Sequence, residues 1–180
     1  MAITLNNPVV HPMKYCAQNV DAYVRSAICE SEVFNGTLVT LDGFAEDGQG
    51  YVFKATPATG DTAVDVWMVR EPEVPKDVCG NMYIDPRAFS IPAGKTFDVI
   101  KVMPSDIYKM SKDAFSEVPV AESKAWITAD ANGKVKAVAS ASGKTGVVMK
   151  LVAPEAYNIG QEFVDAYIVE VVQNPTKALA

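Results

Sequence analysis

Few residues in this chain have types and spacings suited to chemistry. They are two Gly-Lys-Thr triplets, one histidine and three cysteines. The triplets, Gly94-Lys95-Thr96 and Gly143-Lys144-Thr145, invite comparison with a phosphate loop. That loop needs a further glycine five residues before the glycine of the triplet, and a helix N-terminus behind it to face the phosphate. The required positions hold Phe89 and Val138, and neither triplet opens a helical pattern. Both read as turns that lead into strands.

His11 stands beside Pro12. A nucleophilic pair would need a cysteine against it and a third group to orient it, and nothing local supplies either. The plain reading is a solvent-facing or packing histidine. One histidine and no paired cysteines do not make a structural zinc site. Cys16, Cys29 and Cys79 are odd in number and lack a Cys-x-x-Cys spacing. They read as free thiols in a reducing compartment, with a Cys16–Cys29 bridge left open.

The acidic stretches Asp42-Gly43-Phe44-Ala45-Glu46-Asp47 and Asp130-Ala131-Asn132-Gly133 do not follow the calcium-loop pattern, which places ligands at alternate positions and ends in Glu. They read as solvated turns. Asn35-Gly36-Thr37 fits a glycosylation sequon but follows no secretory leader, so it reads as a turn. The expectation is no catalytic residue, no cofactor and no metal. Trp67, Trp126 and Tyr51 are the aromatics that would serve as platforms in a small-molecule or carbohydrate-binding module; core packing is the commoner fate of such rings.

The elements that position these residues are strands. At 180 residues, 49% hydrophobic and 21% charged, the composition is globular. A net charge of −6 and a pI near 4.8 argue against nucleic acid, whose binding is built from Lys and Arg. No apolar run reaches membrane-spanning length, so no membrane partner is expected.

The stretch from Ile91 to Phe115 organises the chain. A turn at Pro92-Ala93-Gly94-Lys95 feeds a strand from Phe97 to Met103, with Phe97, Val99 and Met103 on one face and Ile100 and Val102 on the other. Apolar residues on both faces predict an interior strand. Pro104 ends it, and a short strand over 107–110 follows.

Elsewhere, Asn19 to Ile28 fits helical spacing and strand alternation alike, with extended structure favoured at its end. Leu38, Val39 and Leu41 form a strand after the Asn35-Gly36 turn. Tyr51 to Ala55 and Val64 to Arg70 read as a hairpin with a long loop, with Trp67 and Val69 opposite Val66 and Met68. Glu71 to Arg87, with three prolines, reads as an irregular surface loop. Trp126–Ala129 and Val135–Ala139 flank Asn132-Gly133, a strong hairpin signal. Val147 to Val152 is a strand, Ala153 to Gly160 a turn region, and Phe163 to Val172 a closing strand.

The fold class is therefore mainly β: a β-barrel or sandwich-like domain of about nine to ten short strands with little helix. Residues 1–14 read as an extended N-terminal arm, with Leu5, Val9, Val10 and Met13 as apolar anchors for a neighbouring subunit. Residues 15–118 form a main lobe. Residues 119–180 form a C-terminal lobe packed with it as one unit, the polar Ser116–Ser123 connector marking the boundary.

The order of these elements resembles a known family. Ile28-Cys29-Glu30 followed by VFNGTLVTLDG, then IPAGKTFDVIKVMPSDIYKMSKDAF, the polar hairpin AWITADANGKV and the closing DAYIVEVV resemble the β-rich decoration, or cement, proteins of tailed-bacteriophage heads. The resemblance implies a non-enzymatic virion protein that is made in the bacterial host cytoplasm. It would bind the outer surface of an assembled capsid and stabilise it. It implies the major capsid protein as partner, self-association on the shell and a location on the capsid surface. A head-fibre base or tail structural protein is the alternative of the same kind, and the small-molecule or carbohydrate-binding module the alternative of another.

Overall fold

The computed structural model describes residues 5–45, 51–71, 85–159 and 162–177. Over these the chain is mainly β, with twelve strands in two sheets. In order they are β1 (Val10–Lys14), β2 (Val24–Cys29), β3 (Leu38–Phe44), β4 (Phe53–Pro57), β5 (Val66–Val69) and β6 (Thr96–Lys101). Then come β7 (Ile107–Ser111), β8 (Phe115–Glu117), β9 (Trp126–Ala129), β10 (Val135–Val138), β11 (Val148–Ile159) and β12 (Glu162–Gln173). Strands β2 to β6 close into a barrel in the order β2-β4-β3-β5-β6; the others form a seven-stranded sheet in the order β1-β7-β12-β11-β9-β10-β8. The helical content among the described residues is single 3-10 turns.

Strand β6 shows how one sequence pattern serves two cores. Phe97 and Val99 point into the barrel with Trp67, Val69 and Val39. Ile100, and Val102 just past the strand, face the other way into a larger cluster with Leu38, Val66 and Met68 from the barrel wall and Tyr108, Ile127, Met149 and Val169 from the second sheet. The barrel wall is thus apolar on both sides wherever the sheet covers it, and β6 is paired along both edges, to β2 and to β5. The alternation of Trp67 and Val69 against Val66 and Met68 divides between the same two clusters.

Hydrogen bonds stitch the barrel to the sheet. Asp106 is 3% exposed, and its carboxylate accepts from the Cys16 backbone N–H (2.7 Å), the Met103 N–H (2.8 Å) and the Tyr108 hydroxyl (2.8 Å). Its backbone carbonyl accepts from the Val171 N–H (2.9 Å). Burial, reinforced by the Asp106 charge, pushes the Tyr108 hydroxyl far above its ordinary pKa, so it remains a donor. Asn174, just past β12, acts as a peptide surrogate: its side chain accepts from Val66 N–H (3.0 Å) and donates to Val66 O (2.8 Å) and Val102 O (2.7 Å). Gly133 (φ +72°) sits so close to the barrel that a Cβ would lie 2.5 Å from Leu38 O. Its N–H donates to Ala58 O (3.0 Å).

Several expectations are corrected. Residues 10–14 are not a free arm, because Val10 to Lys14 pair with β7 as the sheet's first strand. Strands β4 and β5 do not form a hairpin; β3 lies between them and pairs with both. The reason is burial: Leu38 lies in one core and Val39 in the other, so β3 needs cover on both faces and sits inside the wall. Ala153 to Ile159 is strand rather than turn, paired to β12 throughout. Pro154 is tolerated because β9 covers β11 only as far as Lys150, leaving the proline on an open edge. Strands β1 and β8, which the sequence pattern did not suggest, bring the number from the expected nine or ten to twelve. The lobe boundary placed at 118/119 falls inside the seven-stranded sheet; the chain changes sheet at 102–106, where Ser105 (φ +73°) turns it. The ambiguous stretch at 19–28 resolves into a 3-10 turn, Asp21–Tyr23, running into β2.

Two outcomes follow. Asp106→Ala leaves three donors facing an emptied site and lowers stability by about 3–5 kcal/mol, read as a fall in the urea midpoint at unchanged m. Asp106→Asn, which turns one acceptor oxygen into a donor, loses at least about half of that; an unchanged midpoint for either would remove Asp106 from its structural role. Deleting residues 1–14 lowers the melting temperature clearly, because buried Val9 alone is worth about 1.5–3 kcal/mol. The double change Leu5→Ser and Met13→Ser, at exposed positions, stays within about 0.5 kcal/mol of the parent.

Candidate functional site

The residues with chemical potential do not converge. Gly94 (φ +74°) donates its N–H to Cys29 O (2.8 Å) in the turn before β6. Gly143 (φ +76°) lies in the turn before β11, and Lys144 is ion-paired with Asp61. That hydrogen bond and the lysine charge hold the Asp61 carboxyl below its ordinary range. Neither triplet stands at a helix N-terminus. His11 lies in β1 with its ring 5.2 Å from the Tyr157 ring, and its imidazole takes no hydrogen bond among the described residues. Cys16 is a half-buried free thiol; Cys29 is a buried one inside the barrel, 3.2 Å from Ser31 Oγ; Cys79 lies outside the described residues.

The acidic turns are occupied by neighbours. Asp130 accepts from Ser116 Oγ (2.5 Å) and pairs with Lys136 (3.4 Å), which keeps its carboxyl below the usual range. Asp42 pairs with Lys177 (3.6 Å), and Glu46 and Asp47 fall outside the described residues. Among the described residues no group of three or more His, Cys, Asp or Glu is placed to hold a metal ion. No described helix is long and apolar enough to cross a membrane. The sequon Asn35 is 8% exposed and spends its amide on the Glu71 backbone, donating to the carbonyl (2.9 Å) and accepting from the N–H (2.8 Å). Trp67 is inside the barrel and Trp126 is half-buried beneath the Lys150 ammonium, whereas Tyr51 stands 86% exposed.

What the fold does present is backbone edge and exposed apolar surface. Among the described residues strand β1 is paired on one side only, to β7, and β8 on one side only, to β10. Leu151 N–H still donates to Ala125 O (2.8 Å); beyond it β11 has β12 as its one neighbour among the described residues, so its distal half is a third open edge. Pro12 and Pro154 sit on two of these edges, where the missing N–H limits indiscriminate pairing. Phe163 (79% exposed) and Val152 (55%) stand out on the β11–β12 hairpin.

The four predicted anchor residues separate into two pairs. Val9 is buried with Tyr157, Ile159, Val164 and Ala166, and exchanges hydrogen bonds with Ser111: Val9 N–H to Ser111 Oγ (2.9 Å) and Ser111 N–H to Val9 O (2.8 Å). Val10 is half-buried against Gly36, where a Cβ would lie within 2.9 Å of two Val10 carbons. Both serve the chain's own fold. Leu5 and Met13 are exposed.

The open half of β11 was missed in the sequence because Pro154, Asn158 and Gly160 look like turn residues. The alternation of Tyr157 and Ile159, both buried, was the signal available.

No protein-family model and no curated protein matches this chain. Among solved structures it is similar to the head fibre gp8.5 N base of bacteriophage phi29, at 12% sequence identity, with 87% of this chain and 98% of that chain covered and a TM-score of 0.37. At that TM-score the likeness carries no inference about function.

Proposed function

We propose that this chain is a non-enzymatic structural protein of a tailed-phage virion, one that binds the outer surface of the assembled capsid and stabilises it. The observation that carries the reading is a contrast. The described residues with chemical potential are dispersed or already paired, while the seven-stranded sheet has three stretches of backbone edge with no strand partner among the described residues. Edges of this kind bind by strand addition, in which main-chain hydrogen bonds give affinity and alternate side chains give specificity. Many copies on one shell turn modest contacts into firm attachment.

The segments on which the resemblance rests fold as turns and strands, which supports the reading. The Asn35-Gly36 turn precedes β3, the Gly94 turn precedes β6, Asn132-Gly133 joins β9 to β10, and β12 closes the chain. The partners are the major capsid protein and further copies of this chain, with Leu5 and Met13 as the N-terminal contacts. The net charge of −6 leaves nucleic acid outside the reading.

The second reading, a head-fibre base or tail structural protein, is of the same class as the phi29 protein above, to which a TM-score of 0.37 lends no weight. Counting copies separates the two. Quantitative mass spectrometry of purified particles from the source is expected to give this polypeptide in a simple ratio to the major shell subunit. A handful of copies per particle would favour the fibre or tail reading, and absence from particles would overturn both.

A further inference from the structure

An exposed arginine lies over the rings at one mouth of the barrel. Arg25 in β2 pairs with Val99 in β6, and Val99 belongs to the barrel interior, so Arg25 stands on the interior side near the strand's open end. Its guanidinium carbon lies 4.6 Å from the Phe53 ring centre and 4.8 Å from that of Trp67. Lys101 Nζ lies 5.5 Å from the same indole but is engaged with Asp65 at 2.6 Å. Arg25 has no carboxylate partner among the described residues. Trp67 is 2% exposed and its Nε1 has no acceptor among the described residues. A buried indole N–H ordinarily finds one. Among the described residues neither the Arg25 guanidinium nor the Trp67 Nε1–H has an acceptor.

The solvent side carries rings. Phe44 is 58% exposed with its ring 4.7 Å from Phe53, and Tyr51 is 86% exposed. Strands β2 and β4 run parallel with Ala27 beside Phe53; two residues earlier on the two segments stand Arg25 and Tyr51. Arginine and tyrosine beside a partly exposed apolar ring are the residue types on which protein interfaces concentrate their energy.

We propose that this barrel mouth is a docking surface for an acidic peptide segment of a partner protein, with a carboxylate accepting from Arg25 and flanking apolar side chains resting on Phe44 and Tyr51. The chain's net charge of −6 opposes an acidic partner at long range, so the attraction is local: one exposed guanidinium lying against two rings, with no carboxylate partner among the described residues. The proposal holds for any acidic protein partner and does not depend on the capsid reading. The competing account is that Arg25 only lays its stem over the rings and needs no partner.

The test uses the full chain with its tryptophan indoles labelled for NMR. The probe is a short peptide alternating Asp or Glu with Leu, and the control is the same peptide with Asn and Gln in place of the acids. The expected result is a saturable shift of the Trp67 indole N–H with the acidic peptide, no shift at Trp126, and none from the amide peptide. Arg25→Met keeps the rings covered, so the fold persists, and weakens binding about tenfold or more. Equal binding of the two peptides, or undiminished binding by Arg25→Met, overturns the proposal. So does binding that appears only in the Glu46→Gln, Asp47→Asn variant, which would make the chain's own loop the occupant.

Discussion

A buried carboxylate without a buried cation survives only when donors surround it, and Asp106 meets that condition by gathering donors from three parts of the chain. Cys16 brings the N-terminal segment, Met103 the exit from the barrel, and Tyr108 the first strand of the sheet's interior. Through its backbone carbonyl it also holds Val171 of β12. The crossover from barrel to sheet is therefore tied to the N-terminal segment and to β12 at one residue.

The two sheets are not independent lobes for the same reason. The larger core draws Leu38, Val66, Met68 and Ile100 from the barrel wall and Tyr108, Met110, Ile127 and Met149 from the sheet. Separating them would expose both apolar surfaces and strand the polar groups that bridge them. Asn174 is the clearest of these bridges, since its amide reproduces strand pairing to Val66 from beyond the end of β12. Chain topology agrees: β1 comes from the N-terminus yet pairs with β7, so the second sheet contains residues from before and after the barrel.

Among the described residues the β body offers two kinds of surface, open strand edges and one guanidinium with no carboxylate partner. The edges offer backbone, which is indifferent to sequence, and the prolines on them restrict what can add. The barrel mouth offers the opposite: a side-chain charge lying against two rings. The physical requirements of the two surfaces differ, so a partner could engage them separately.

The sequence by itself determined the fold class and much of the local structure. The alternation at Phe97 to Val102, the Asn-Gly turns, and the division of Trp67 and Val69 from Val66 and Met68 follow from side-chain period, which is a local property. It also showed that the two Gly-Lys-Thr triplets lack the spacing of a phosphate loop. What only the tertiary structure decided was partnership. Period 2 says which face is buried but not which strand lies alongside, so the place of β3 between β4 and β5, the pairing of β1 with β7 and the open half of β11 were not legible. The same holds for the barrel mouth: Arg25, Phe53 and Trp67 are far apart along the chain and meet because closing the barrel brings β2, β4 and β5 to one rim.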